Sequence, residues 1–459
     1  MRYLSLCCMF SLLVGCHIDN PSHQKTTQHK SSGTAATNFV FILCDDLGYG
    51  DLGCYGNRTI KTPVLDSLAS VGLRLTSCYA GAPVCSPARA ALMTGKNPNR
   101  VGIRDWIPEN SGIYLHEEEM TVAELLKTAG YRTGLIGKWH LNSRVDGTEP
   151  TPTEHGFDYS FYTQNNAVPS HENPVNFIRN GEPVGPLTGN STTLIVDEAI
   201  SFIRRDPAQQ QPFALFVTFH APHEPVATPA SYQALYPDYP DTSTQPVYYG
   251  SVSLIDHEVG RLLQALEEMK LTDQTFLMFT SDNGPETLNR YRGAQHSHGS
   301  AKPLHGMKLD ITEGGYRVPG IIYWPGKTLA GSISDTPICG TDILPTFCEV
   351  AGVIPPSNIE LDGTSILPIF RQQPIVRSKP LYWQYDRALS KPFTVSVREG
   401  DWKLITNKSL DSVSLYNLSD DIDESSDLSA QFPQRVDSMM EDANALYDDV
   451  NAVKEEVKL

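Results

Sequence analysis

Four short strand-like stretches in this chain, most of them apolar, each end in polar or charged residues, and that recurrence constrains the fold more than any other feature. Asn38 to Cys44 (NFVFILC) ends in Asp45 and Asp46, and Tyr131 to Gly137 ends in Lys138, Trp139 and His140. Pro212 to Phe219 leads into His220, Ala221, Pro222 and His223, and Thr275 to Thr280 into Ser281, Asp282, Asn283 and Gly284. A short, nearly continuous apolar run fits a strand covered on both faces, as in a parallel sheet. Helix signals lie between the runs: Thr62 before Pro63 with Gly72 as a stop, and a capping box at Thr121 and Glu124 closing at Gly130. Amphipathic stretches follow at Thr193 to Arg204 and Val247 to Met269. This alternation predicts an α/β fold, a large and mostly parallel sheet sandwiched by helices. In such sheets ligands bind outside the carboxyl ends of the strands, so the four polar clusters converge on one site.

Around Pro325 the texture changes. Leu381 to Gln384, Thr394 to Arg398, Trp402 to Thr406 and Ser414 to Leu418 read as short strands joined by turns, and Gln434 to Val453 as a closing helix. The expected organisation is a catalytic domain over 38–325 and a smaller subdomain over 326–459 with a four-stranded antiparallel sheet. At the other end, Tyr3 to Val14 is apolar but too short to span a bilayer, as in a signal peptide over 1–15. Its end, Leu13-Val14-Gly15-Cys16, resembles the lipobox of bacterial lipoproteins, which implies lipidation of Cys16 and a lipid anchor to the membrane. Residues 16–37 then read as a flexible tether. The expected location is the periplasm or the outer membrane.

Charge narrows the partners. With 36 Lys and Arg against 53 Asp and Glu the net charge is −17, the wrong sign for nucleic-acid binding. An anionic substrate must therefore be captured by a local cationic pocket. Of nine cysteines, Cys7, Cys8 and Cys16 fall in the export segment, and the six that remain are too few for a disulfide scaffold.

The stretch Cys85-Ser86-Pro87-Ala88-Arg89-Ala90-Ala91-Leu92-Met93-Thr94-Gly95 starts a helix with Cys85 at its positive end and Arg89 on the same face. A helix N-terminus lowers a thiol's pKa, so an ordinary cysteine nucleophile is one reading. The same eleven residues match the sulfatase signature C-x-P-x-R-x-x-L-x-T-G, and Gly130 to His140 resembles the second signature of that family. From Asn38 to about Leu428 the order of motifs is similar to type I sulfatases of the alkaline phosphatase superfamily.

The resemblance implies a sulfuric ester hydrolase acting on a sulfated polysaccharide or oligosaccharide, with galactose or N-acetylgalactosamine sulfate the favoured sugar. It also implies that a formylglycine-generating maturation enzyme oxidises Cys85 to formylglycine (3-oxoalanine). One hydroxyl of the hydrated aldehyde attacks sulfur and displaces the alcohol, and the second later expels sulfate. Asp45, Asp46, Asp282 and Asn283 are hard oxygen donors of the kind calcium takes, and the modified Cys85 completes the shell of one Ca2+ by similarity. Arg89 then holds charge around the nucleophile, Lys138 and Lys308 bind the sulfate oxygens, His140 acts as base and His223 as general acid, with His220 as a substrate contact. Arg104, Asp105 and Trp106, the loop Glu286 to His305 (with Arg290, Tyr291, Arg292, His296 and His298) and the segment Asn165 to His171 are the expected sugar rim. The competing readings are a phosphodiesterase or phosphonate monoester hydrolase of the same superfamily, and a non-catalytic glycan-binding lipoprotein.

Overall fold

The computed structural model of the protein describes residues 36–206, 211–240 and 242–452. The expected signal peptide, Cys16 and nearly all of the tether lie outside the described residues. Strand β1 (Asn38–Asp45) is followed by α1 (Pro63–Val71), β2 (Leu73–Tyr79), α2 (Cys85–Thr94), α3 (Val122–Thr128), β3 (Arg132–Lys138) and β4 (Tyr159–Thr163). Two-residue strands β5 (Ile178–Arg179) and β6 (Glu182–Pro183) lead to α4 (Ser191–Arg204), β7 (Phe213–Pro222), α5 (Ala230–Gln233), α6 (Gln245–Glu268) and β8 (Thr275–Ser281). Then come α7 (Glu313–Tyr316), β9 (Arg317–Tyr323), β10 (Ser332–Ser334), β11 (Ile338–Cys339) and α8 (Ile343–Ala351).

These strands form one sheet in the order β10-β2-β9-β8-β1-β7-β3-β4-β5-β6, with β11 also paired to β2. Its centre, β8-β1-β7-β3-β4, is parallel, while β9 runs antiparallel to both β8 and β2. Strand β1 shows why both faces must be covered. Phe39, Phe41 and Leu43 enter one core with residues of α2, α3 and α8, and Val40, Ile42 and Cys44 enter the other with residues of α1, α4 and α6. Every residue of β1 is buried, as its unbroken apolar run requires. The capping box is present as expected: Thr121 Oγ1 accepts the Glu124 N–H, and the Glu124 carboxylate accepts the Thr121 N–H.

A second sheet, β12 (Leu381–Gln384), β13 (Val395–Glu399), β14 (Trp402–Thr406) and β15 (Val413–Asn417), is antiparallel throughout and is covered by α9 (Pro433–Asn451). The large sheet continues past residue 325, because β10 and β11 pair with β2. The turn-rich texture after Pro325 marks a crossing between strands of the same sheet.

Apolar and ionic contacts join the small sheet to the large one. Trp383 stacks on Tyr316 at 4.5 Å and donates its indole N–H to Ala80 O at 2.8 Å. Lys403, on β14, is fully buried, with Nζ 2.9 Å from Glu313 Oε1 and 2.7 Å from Glu424 Oε1. Arg317 lies 3.0 Å from Glu313 Oε2, and Tyr79 donates to the same oxygen at 2.5 Å. Burial would raise Glu313, but Lys403, Arg317 and Arg398 outweigh it and hold the carboxyl at about 2. Glu313 opens α7, the turn that follows the loop bearing Lys308, so the small sheet anchors one wall of the site.

Candidate functional site

The carboxyl ends of β1, β3, β7 and β8 meet, as the strand-end rule predicts. At the end of β1 the chain enters the left-handed region at Asp46 (φ 65°), and after β3 it does so at His140 (φ 58°). Leu309, next to Lys308, is left-handed too (φ 71°). Three such non-glycine residues at one site each cost roughly 1 kcal/mol or more, which the surrounding packing must offset.

Acids and bases alternate through the site. Lys138 Nζ lies 2.6 Å from Asp45 Oδ2, and Lys308 Nζ contacts both Asp46 oxygens at 2.7 and 2.8 Å. Arg89, one turn into α2, donates Nε–H to Asp282 Oδ2 at 2.9 Å and an Nη–H to the Lys138 carbonyl at 2.8 Å. Asn283 donates to Asp46 Oδ1 at 2.7 Å. Three carboxylates thus face three cations, all buried.

Burial raises Asp46 and Asp282, with Lys308 opposing the rise at Asp46 and the Asp45 charge adding to it at both. Burial would raise Asp45 too, but Lys138 and Arg89 prevail and hold it low. Asp45 Oδ1 and Asn283 Oδ1 are buried without a hydrogen-bond partner. Unpaired hard oxygens among crowded carboxylates fit a divalent cation, and oxygen donors favour calcium over zinc or copper. Asp45, Asp46 and His223 also place possible ligand atoms within 4.8 Å of one another.

Cys85 is the first residue of α2, and its environment is felt from Lys138, Lys308, Asp45 and Asp282. Burial pushes the thiol up, and the two lysines do not reverse it. Of the two readings of Cys85, the ordinary thiolate nucleophile is therefore the one that burial at the head of α2 opposes.

The histidines have defined tautomers in their neutral forms. His140 donates Nε2–H to the Ile107 carbonyl (3.1 Å), leaving Nδ1 buried as a free acceptor. His223 donates Nδ1–H to the Glu224 carbonyl (2.5 Å) and turns Nε2 toward Asp46 Oδ2 at 3.6 Å. Thr163 gives its hydroxyl proton to the Asn165 carbonyl, so His220 Nε2–H donates to Thr163 Oγ1 at 2.6 Å. Burial first, then Lys308 and Lys138, lowers His223 to about 3, and burial lowers His140 and His220 as well. All three rings are neutral here.

The expected rim is reached unevenly. Asn166 Oδ1 accepts from Lys138 (3.3 Å), and burial, opposed by Lys308, pushes the Tyr291 hydroxyl up to about 12. Arg290 is committed to Glu286 through two hydrogen bonds, whereas Arg104 donates one to Asn451 of α9 and buries its Nε without a partner. His298 is taken by Thr244 at 2.7 Å. Trp106 remains exposed. Sequence reasoning missed Glu224, whose carboxylate accepts the backbone N–H groups of His296 and Val226 and the Ser297 hydroxyl, pinning the 286–305 loop to the end of β7. It also missed Thr163. The only local signal was their place beside a strand end. The six cysteines of the described residues are all free.

A family-wide pattern described as Sulfatase matches residues 37–353, and one described as N-sulphoglucosamine sulphohydrolase, C-terminal, matches 308–447. Rat N-acetylgalactosamine-6-sulfatase is 37% identical over 369 residues, covering 75% of this chain and 68% of the rat protein. Among solved structures, Ps i-CgsB in complex with k-i-k-neocarrahexaose superposes with a TM-score of 0.79 at 26% identity, covering 92% of this chain and 98% of that one. The PsFucS1 sulfatase from Pseudoalteromonas sp. gives a TM-score of 0.76 at 27% identity, over 91% of each chain.

Proposed function

The chain belongs to the sulfatase family and is a sulfuric ester hydrolase; from that premise we propose that it removes sulfate from a sulfated polysaccharide or oligosaccharide. Position 85, after oxidation of Cys85 to formylglycine by a maturation enzyme, is the nucleophile, and Asp45, Asp46, Asp282 and Asn283 hold one calcium ion. The observation that carries this reading is the placement of Cys85 at the head of α2, between two lysines and a cage of carboxylates. The glycan is supported by the neocarrahexaose bound to Ps i-CgsB and by the name of the rat relative. Export and a lipid on Cys16 would place the enzyme where polymeric glycans are met, and Leu13-Val14-Gly15-Cys16 supports both.

Formylglycine, hydrated, supplies one hydroxyl to attack sulfur and another to release sulfate. Calcium, bound by Asp45 and Asp46, would supply the charge that Lys138 and Lys308 now supply to those carboxylates, leaving both ammonium groups to the sulfate oxygens. Arg89 keeps Asp282 in register through Nε–H. His140 offers a lone pair at Nδ1, because Ile107 holds the proton on Nε2, and so serves as base. His223 presents Nε2 to the leaving oxygen. It is neutral in the free site, and a bound sulfate that offsets Lys308 and Lys138 raises its proton affinity, as a general acid needs.

The test compares rates on an aryl sulfate and an aryl phosphate diester, using enzyme whose Cys85 oxidation is verified by mass. A preference for the sulfate, lost in Cys85→Ser, supports the reading. A preference for the diester moves the chain to phosphodiester chemistry.

A further inference from the structure

The loop of residues 385–391, between β12 and β13 of the small sheet, lies against the segment that carries Lys308. The Leu389 N–H donates to the Leu309 carbonyl at 3.0 Å, and the Ile311 N–H to Ser390 Oγ at 3.2 Å, so the loop is sewn to the segment that carries Lys308. On its other side the Tyr385 hydroxyl donates to Asp105 Oδ1 at 3.0 Å, and Arg387 lies 2.6 Å from Asp105 Oδ2. Asp105 Oδ1 also accepts the Trp106 N–H at 2.8 Å. The next residue, Ile107, donates its N–H to Ser86 Oγ at 3.0 Å and receives His140 Nε2–H, so this cluster abuts the residues flanking position 85.

Two members of the cluster are open to solvent. Trp106 is 44% exposed, and the Arg387 side chain is 74% exposed. One guanidinium nitrogen of Arg387 binds Asp105, and the others have no partner among the described residues. An indole face suits the apolar face of a sugar ring, and a guanidinium with spare N–H groups suits sulfate or carboxylate. In a chain of net charge −17, a cation beside the site has particular value for a polyanionic ligand.

We propose that Trp106 and Arg387 form a subsite for the sugar next to the sulfated one, with Trp106 stacking on its ring and Arg387 binding an anionic group that it carries. The enzyme thereby selects glycans charged on consecutive sugars. This rests on the sulfatase reading above and names the substrate class of that same site.

The test uses the full chain with verified oxidation of Cys85 and three kinds of substrate. These are an aryl sulfate, a disaccharide with one sulfate at the cleaved position, and the same disaccharide with a second sulfate or a carboxylate on the neighbouring ring. In wild-type enzyme the doubly anionic disaccharides have the lowest KM. Arg387→Ala raises KM for them about tenfold more than for the aryl sulfate, consistent with loss of one charge-assisted contact. Arg387→Lys restores part of the difference, and Trp106→Ala raises KM for every disaccharide relative to the aryl sulfate. Added salt narrows the gap between singly and doubly charged substrates in wild type and not in Arg387→Ala. Equal KM shifts for all substrates, in enzyme that cleaves the aryl sulfate, overturn the subsite and leave the sulfatase reading intact. Absence of cleavage of every sulfate ester overturns both.

Discussion

Replacing Lys403 by methionine keeps most of the side-chain volume and removes the ammonium group that neutralises Glu313 and Glu424. Those contacts are 2.9 and 2.7 Å long and wholly buried, so the variant leaves two carboxylates in the interior with Arg317, Arg398, Tyr79 and the Glu313 N–H to answer them. Breaking a buried pair by removing one partner costs about 3–5 kcal/mol. With an unfolding entropy of about 2.1 cal/mol/K per residue over roughly 400 residues, that lowers Tm by about 4–6 °C in a cooperative transition. The sign with pH follows from Glu313. Its folded pKa of about 2 lies below the unfolded value, so its stabilising share is present above pH ~4.3 and is lost as pH falls toward 2. Without Lys403 both carboxyls move up and take protons on the acid side, so the penalty shrinks there. Differential scanning calorimetry at pH 7.5 and 4.5 should show the larger drop at pH 7.5. Because Glu313 opens α7, kcat/KM on an aryl sulfate should fall as well. A Tm change under about 1 °C at pH 7.5, or the same drop at both pH values, would refute the reasoning.

Gly284→Ala places a Cβ 1.8 Å from the Gly314 carbonyl oxygen, directly after Asn283, and should cut kcat on an aryl sulfate by about 100-fold through displaced ligands. Glu224 would be raised by burial, but bonds from His296 and Val226 hold it at about 2, so its stabilising share is present above pH ~4.3 and fades toward pH 2. Glu224→Gln should therefore lose stability at neutral pH and show a flatter acid limb in Tm against pH. Chelation should lower Tm, and calcium at about 100 times its Kd should restore about 2.7 kcal/mol, roughly 3 °C on the same scale. Restoration by magnesium alone would count against the calcium assignment.

Much of this architecture was legible in local signals. Mainly apolar runs marked β1, β7 and β8, the stretch after the Gly130 helix stop marked β3, and the strand-end rule gathers Asp45, Lys138, His220, His223 and Asp282 from the sequence. Strands β2 and β9 were not legible: LRLTSCY mixes polar and apolar residues because Arg74 and Thr76 are only partly buried, and β9 contains Pro319. Nor were the ion pairs. A lysine such as Lys403 reads as solvated until its acids arrive from 90 residues away at Glu313. The bond from Arg104 to Asn451, 347 residues downstream, was equally hidden. Such pairings are set by topology, and single-sequence periodicity carries no trace of them.

The central claim is tested most directly by sulfate release from a panel of sulfated galactose, N-acetylgalactosamine, glucosamine and fucose oligosaccharides. The enzyme carries mass-verified formylglycine at position 85, and Cys85→Ser is the control. The account predicts release from one sugar and one position, abolished in the control. Silence across the panel despite complete conversion, or equal release by Cys85→Ser, would contradict it.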